Sequence, residues 1–213
     1  MNQEEKIMEA ALTVVKEQTI SGTRMHLIAE KAGMLQSNLH YYYKTKNDLL
    51  DALQEKVLDK CLAIREELRE KALDSLESQM DIFINQKRAF IMDCREYDFA
   101  EVDFWVQGRI HPNIKKNFAN SFEGWRQEIG IMLNTYVPDL SDEVQKNLPY
   151  MIVSYLEGAT MQYLIDEDAF ELDEYFRFGK QMILDTIKND LRKRGEGHEI
   201  NKNNGSGGTC IMP

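Results

Sequence analysis

The chain has 213 residues, with 26 Lys and Arg against 36 Asp and Glu and a formal net charge of −10, so it is long enough for one large or two small domains that bury roughly 70% of the unfolded surface. Three widely spaced cysteines, Cys61, Cys94 and Cys210, argue against a disulfide framework or a clustered zinc site and favour a reducing, cytoplasmic setting. No apolar run of about 18 residues offers a membrane span, and the opening MNQEEKIMEA is too acidic for a signal peptide.

Helical periodicity runs through almost the whole sequence. Residues 4–18 form a first helix whose Ile7, Ala11, Val14 and Val15 share one face. Thr23 offers a hydroxyl to cap a second, short helix, on which Leu27, Ile28 and Ala32 are spaced as an apolar face. Gly33 supplies a turn. A third helix follows from about Gln36 to Tyr43 and carries Gln36, Ser37, Asn38, His40, Tyr41 and Tyr42, side chains able to reach base edges and phosphates. From Asn47 a long helix runs through Leu50, Leu53, Val57, Cys61, Ile64 and Leu68. Further helices are expected at about 74–94, 98–108, 112–135, 142–166 and 172–193, separated by His111-Pro112, by Val137-Pro138-Asp139 and by the acidic stretch 166–169. The polar, glycine-rich residues 195–213 read as a disordered tail.

Two short helices joined by a glycine turn and followed by a basic, aromatic cluster are the pattern of a helix-turn-helix. Residues 5–50 resemble the TetR family of bacterial one-component regulators, the match lying in Thr23, Ile28, Ala29, Ala32, Gly33, Leu39, Tyr42, Tyr43, Lys46 and Leu49. Two positions depart from it. Leu35 stands where the family pattern has a capping Ser, and His40 where it has a Tyr. The resemblance implies that Gln36, Ser37, Asn38 and His40 face base edges, and that Thr23, Arg24, His26, Tyr41, Tyr42 and Lys46 mainly face phosphate.

The acidic net charge fits DNA binding once it is divided along the chain. Residues 22–50 hold Arg24, Lys31, Lys44 and Lys46 against Glu30 and Asp48, while residues 1–50 are balanced and the whole excess of acid falls on residues 51–213. The field is polarised, with a mildly basic end and an acidic body, and its modest attraction for phosphate favours a dimer.

In the last two helices Ile152, Tyr155 and Ala159, and Phe176, Gly179, Ile183 and Ile187, recur at helical spacing. Each helix has more than one apolar face, and on the first of them Met151, Ser154, Gly158 and Gln162 give an adjacent face of small and mixed residues. One face can pack inside the subunit and the other against a two-fold mate. We assign Ile152, Tyr155, Ala159, Phe176, Gly179, Ile183 and Ile187 to the mate, since the resemblance implies dimerisation through these helices.

The middle of the chain is rich in aromatic and sulfur-bearing residues, which either line an effector cavity or form ordinary core. The resemblance implies a cavity here, with Phe90, Cys94, Trp105, Phe122, Trp125 and Tyr155 as its candidate lining. Asp93, Asp98, Glu101 and Asp103 are interleaved with the rings, as a solvated helix face or as part of a cation site.

Signals for catalysis are sparse. His26, His40, His111 and His198 are scattered, and the sequence contains no phosphate-binding loop, dinucleotide fingerprint or nucleophile elbow. The expected fold is all-α. A DNA-binding domain occupies residues 1–46, an effector-binding and dimerisation domain residues 47–194 and a tail residues 195–213. The expected function is that of a non-enzymatic, homodimeric transcriptional regulator, a repressor that binds a palindromic double-stranded DNA operator and responds to an apolar or amphipathic small molecule. It needs no cofactor, metal or membrane. The competing reading is a helical small-molecule-binding or interaction protein that keeps the fold without reading DNA.

Overall fold

The computed structural model describes the backbone of residues 2–204 and the side chains of residues 2–194. Among the described residues there are nine α-helices and no strand: α1 (Gln3–Gly22), α2 (Met25–Lys31), α3 (Gln36–Tyr42), α4 (Lys46–Arg69), α5 (Leu76–Asp93), α6 (Arg95–Gln107), α7 (Pro112–Tyr136), α8 (Asp142–Ile165) and α9 (Leu172–Asn204). The tail expected from residue 195 is therefore helical in its backbone as far as Asn204. Residues 205–213 lie outside the described residues.

Local chemistry sets the helix starts. Asn2 with Glu5 and Thr45 with Asp48 form reciprocal capping boxes for α1 and α4, each satisfying two backbone N–H groups that the helix itself leaves unpaired. Pro112 opens α7, where its missing N–H costs nothing. Ser141 caps α8 and also donates its N–H and its hydroxyl to Asp190 of α9, both at 2.7 Å.

Thr23 does not cap α2 as its position suggested. It ends α1 instead: its hydroxyl and its N–H both go back to the Thr19 carbonyl, at 2.7 and 3.0 Å, and the side chain is fully buried. Arg24 takes the N-cap position of α2 without a side-chain capping hydrogen bond. Gly33 turns between α2 and α3 with φ +67°, a conformation open to glycine at no steric cost.

The interior divides into two apolar clusters. One gathers Ile7, Leu12 and Val15 of α1, Ile28 of α2, Leu39 of α3 and Leu49, Leu53 and Val57 of α4, and runs on without a break into Phe90, Ala100, Phe104 and Phe118 of α5, α6 and α7. The apolar contacts of the three N-terminal helices are thus the outer end of a larger core, and α1 packs mainly on α6. The second cluster joins α5, α7, α8 and α9 through Phe83, Trp125, Ile129, Leu156, Phe176 and Ile183.

The seam between α8 and α9 depends on Gly179. Tyr155 lies stacked on Tyr175, ring centroids 4.9 Å apart, and its hydroxyl donates to the Phe176 carbonyl at 2.8 Å while the Tyr175 hydroxyl donates to the Tyr155 carbonyl at 2.9 Å. A Cβ on residue 179 would stand 2.1 Å from Cε2 of this fixed ring. Gly179→Ala is therefore expected to force the ring aside, at about 1–3 kcal/mol for overpacking. A thermal melt of the variant should show Tm lower by roughly 3–10 °C; an unchanged Tm would mean that the seam is looser than its geometry.

Candidate nucleic-acid interface and effector site

The junction between α1 and α6 orients the N-terminal helices. Thr19 interrupts α1 with φ 58° and ψ 168°, a region nearly reserved for glycine that costs on the order of 1–3 kcal/mol for other residues. Surrounding contacts hold it there. The next residue's N–H donates to Asp103 Oδ2 of α6 at 2.9 Å, and the same residue, Ile20, accepts from Lys46 Nζ at 2.6 Å. Gln107, also of α6, donates to Ser21 Oγ at 3.1 Å. Burial raises the Asp103 carboxyl, partly opposed by the Ile20 N–H, and burial followed by the nearby Arg24 lowers the Lys46 ammonium.

Helix α3 presents an open polar face. Gln36, Ser37 and Asn38 are exposed, Tyr41 is 78% exposed, and Tyr42 lies beside it at the edge of exposure. The Lys44 ammonium stands 5.9 Å over the Tyr41 ring. His40 is half-buried between Gln36 Nε2 at 3.3 Å and the Lys44 carbonyl at 3.2 Å, so it organises the helix end as well as facing outward. Arg24 and His26 are exposed, Arg24 being folded onto the Ser21 and Thr23 carbonyls. Of the expected phosphate contacts, Thr23 is removed by its burial, and Lys46 is committed to Ile20.

The six residues expected to line one effector cavity do not converge. Trp105 and Phe122 share an open pocket of about 380 Å³ between α6 and α7 with Phe118. Trp125 lines a second, of about 430 Å³, between α4 and α7 with Leu58, Cys61, Leu62 and Arg65. Phe90 is wholly buried core, and Cys94 is packed at the α5–α6 junction. Tyr155 is the α8–α9 tie described above.

Between the pockets lies a buried charge cluster that the sequence reading missed. Lys87 of α5 is 1% exposed, and its ammonium stands 2.8 Å from Glu101 and 3.7 Å from Asp98 of α6 and 2.7 Å from Glu157 of α8. Asp98 also accepts from the Thr160 hydroxyl at 2.8 Å. Asp98 and Glu101 are thus interior groups, not a solvated face. The signal was present: Lys87 lies three or four residues from Phe83, Ile84, Phe90 and Ile91, on the apolar stripe of its helix. Burial alone would lower the Lys87 ammonium, but the carboxylates of Glu101, Glu157 and Asp98 outweigh it and hold the group well above its ordinary value. Burial raises the Glu157 carboxyl to about 7 against the pull of Lys87, with Glu101 and Asp98 adding repulsion. Nearby, Arg65 lies between the rings of Trp125 and Phe83, donating to Gln86 at 3.2 Å and Glu128 at 2.9 Å.

The apolar face left open on α8 and α9 is not the one expected. Ile152, Ala159, Phe176, Ile183 and Ile187 are buried within the chain, as is Gly179 against Tyr155. The face that remains exposed carries Met151, Met161 and Ile165 of α8 and Phe178 and Met182 of α9. Both helices carry two apolar faces, and packing turns the expected interface face inward.

An all-helical fold with an N-terminal helix-turn-helix and a polar, solvent-facing α3 defines the class of DNA-binding transcriptional regulators. Residues 7–53 match the family model described as bacterial regulatory proteins, tetR family, so the N-terminal helices of this chain are similar to the DNA-binding domain of that family. The fold as a whole agrees. A TetR transcription regulator from Haloarcula marismortui is similar at 18% identity over 86% of this chain and 97% of its own, with a TM-score of 0.75. The Saccharomonospora viridis protein solved in complex with choline is similar at 17% identity over 87% and 95%, TM-score 0.73. FadR from Bacillus subtilis, solved in complex with stearoyl-CoA, is similar at 14% identity over 84% and 96%, TM-score 0.68. No helix among the described residues is long and apolar enough to cross a membrane.

The charge cluster makes stability depend on pH. Glu157 faces Lys87 of α5, Asp98 and Glu101 of α6 and, more distantly, Cys61 of α4. Its folded value of about 7 lies above its ordinary value of 4.5, so below pH 4.5 both states hold the proton and nothing is lost. Between there and about pH 7 only the unfolded state releases it, and stability falls as pH rises. Glu157→Gln should remove much of that slope and raise stability at pH 8 by on the order of 2 kcal/mol, whereas Lys87→Met, which strands the carboxylates, should cost about 3–5 kcal/mol. Denaturant titrations at pH 5 and pH 8 check both; a steeper slope in Glu157→Gln would contradict the assignment.

Proposed function

We propose that this chain is a homodimeric, ligand-responsive transcriptional repressor of the cytoplasm, in which residues 1–46 read an operator and residues 47–194 bind an effector and dimerise. The observation that carries the reading is the exposed row Gln36, Ser37 and Asn38 on α3, flanked by Tyr41, Tyr42 and Lys44. These amide and hydroxyl groups suit base edges. Arg24, His26, Tyr41 and Tyr42 suit the phosphates that fix register.

Dimerisation follows from the open apolar face. Two copies of the surface formed by Met151, Met161, Ile165, Phe178 and Met182 would bury one another in an isologous four-helix contact, and would set two α3 helices against major grooves about one DNA turn, roughly 34 Å, apart. A palindromic operator follows from that symmetry.

For the effector, the pocket beside Trp105, Phe118 and Phe122 is favoured over the one beside Trp125, because Trp105 shares α6 with Asp103 and Gln107, which hold α1. A ligand wedged there would act on the contacts that orient α3. It can lower operator affinity only by its preference for one reader spacing over the other, typically about 1–3 kcal/mol. The choline and stearoyl-CoA complexes of similar folds support a small-molecule effector without choosing its chemistry. An apolar or amphipathic molecule suits the three rings.

Titration of fluorescent DNA from upstream of the coding region, with sedimentation of the protein, tests the reading. Asn38→Ala should relax sequence preference by about 1–3 kcal/mol at one base pair. Phe178→Glu should give folded monomers and weak DNA binding, while Ile183→Glu should lower stability instead, since it puts an unpaired carboxylate in the core. A dimer undisturbed by Phe178→Glu would place the interface elsewhere. Failure to prefer any DNA sequence would favour the reading of a helical ligand-binding protein that keeps the fold without reading DNA.

A further inference from the structure

Leu35 breaks two rules at once. It immediately precedes α3, a position where Ser, Thr, Asp or Asn normally accepts from the first helical N–H groups, and it makes no such bond. Its apolar side chain is 71% exposed. A single exposed leucine needs no special account in general, but this one shares a groove with Lys6, Ser37, Asn38, Tyr41 and Tyr42, with the half-buried Ala32 and Met34 at its back. Those neighbours are polar, cationic or amphipathic. They form a surface suited to nucleic acid, and one exposed leucine, backed only by the half-buried Ala32 and Met34, is too small a patch for a protein partner.

The grooves of DNA offer one strongly apolar feature at a base edge, the C5-methyl group of thymine in the major groove. Residues at the start of a helix lying in that groove are the ones nearest the base edges. We propose that Leu35 is a specificity-determining residue that packs on the methyl group of one thymine in each operator half-site, beside the polar contacts of Gln36, Ser37 and Asn38. A Ser at this position would cap α3 but offer the methyl group nothing. The inference rests on the reading of α3 as the DNA-facing helix.

The test begins with selection of binding sites by the full-length chain from random double-stranded DNA, followed by replacement of each thymine of the selected site with deoxyuridine, which removes only the methyl group. The wild-type chain should lose about fourfold in affinity at one thymine per half-site, the value of one buried methyl. Leu35→Ser, which restores a capping hydroxyl and so should fold, should bind with no sensitivity to that replacement while keeping its response to changes at the other positions. A selected site without a thymine, a wild-type chain indifferent to every uracil, or a Leu35→Ser chain as sensitive as wild type would each overturn the assignment of Leu35 while leaving DNA reading intact. Selection of no sequence at all would overturn the reading of α3 and this inference with it.

Discussion

The arrangement turns on one peptide unit pair around Ile20. Its N–H is held by Asp103 of α6 and its carbonyl by Lys46 at the start of α4, while the preceding Thr19 sits in a backbone conformation that a β-branched residue adopts only under constraint. These bonds stabilise the strained turn, and Gln107 adds a third tie through Ser21. The N-terminal helices are therefore not a bead on a flexible string. They are clamped to the body at the point where α1 ends, and the direction in which α3 faces follows from the placement of α6.

What holds α6 in turn is largely polar. Its Asp98 and Glu101 reach Lys87 of α5, where Glu157 of α8 also arrives, so one buried ammonium ties three helices together. Such a cluster adds little net stability, because desolvation offsets much of the attraction. Its geometry is demanding, however, and a displaced α6 would leave carboxylates unpaired in the interior. Shifts of α6 are thereby confined to a few packings, which is the kind of element a bound molecule can bias. The rings of Trp105, Phe118 and Phe122 lie on this same helix and its neighbour α7, so the proposed effector pocket, the charge cluster and the clamp on Ile20 share one mechanical part.

Helices and their order were legible because apolar residues recur at helical spacing and because Gly33, Pro112, Pro138 and the acidic stretch before Phe170 punctuate them. Function was legible over the short stretch where turn glycine, polar helix and aromatic cluster coincide. Orientation was less so. Thr23 stands between two helices and can serve either, and only the fold shows that its hydroxyl goes back to Thr19. Ile183 and Met182 are adjacent and both apolar, and packing alone decides which turns inward. Asp98 and Glu101 could be read as a solvated face because their partner, Lys87, comes from a different helix. Periodicity places a residue on a face of its own helix, but not that face against its neighbour.

Contacts made by α6 are expected to set the operator affinity of α3 from a distance. Operator titration of Asp103→Ala against the wild-type chain tests it most directly, since Asp103 is remote from the proposed DNA contacts on α3 and its loss frees only the Ile20 N–H and the clamp. Release of the clamp is expected to weaken operator binding by about tenfold, or 1.4 kcal/mol, in a chain that remains folded and dimeric. Wild-type affinity in a folded Asp103→Ala dimer would mean that the clamp on Ile20 does not govern how α3 meets DNA.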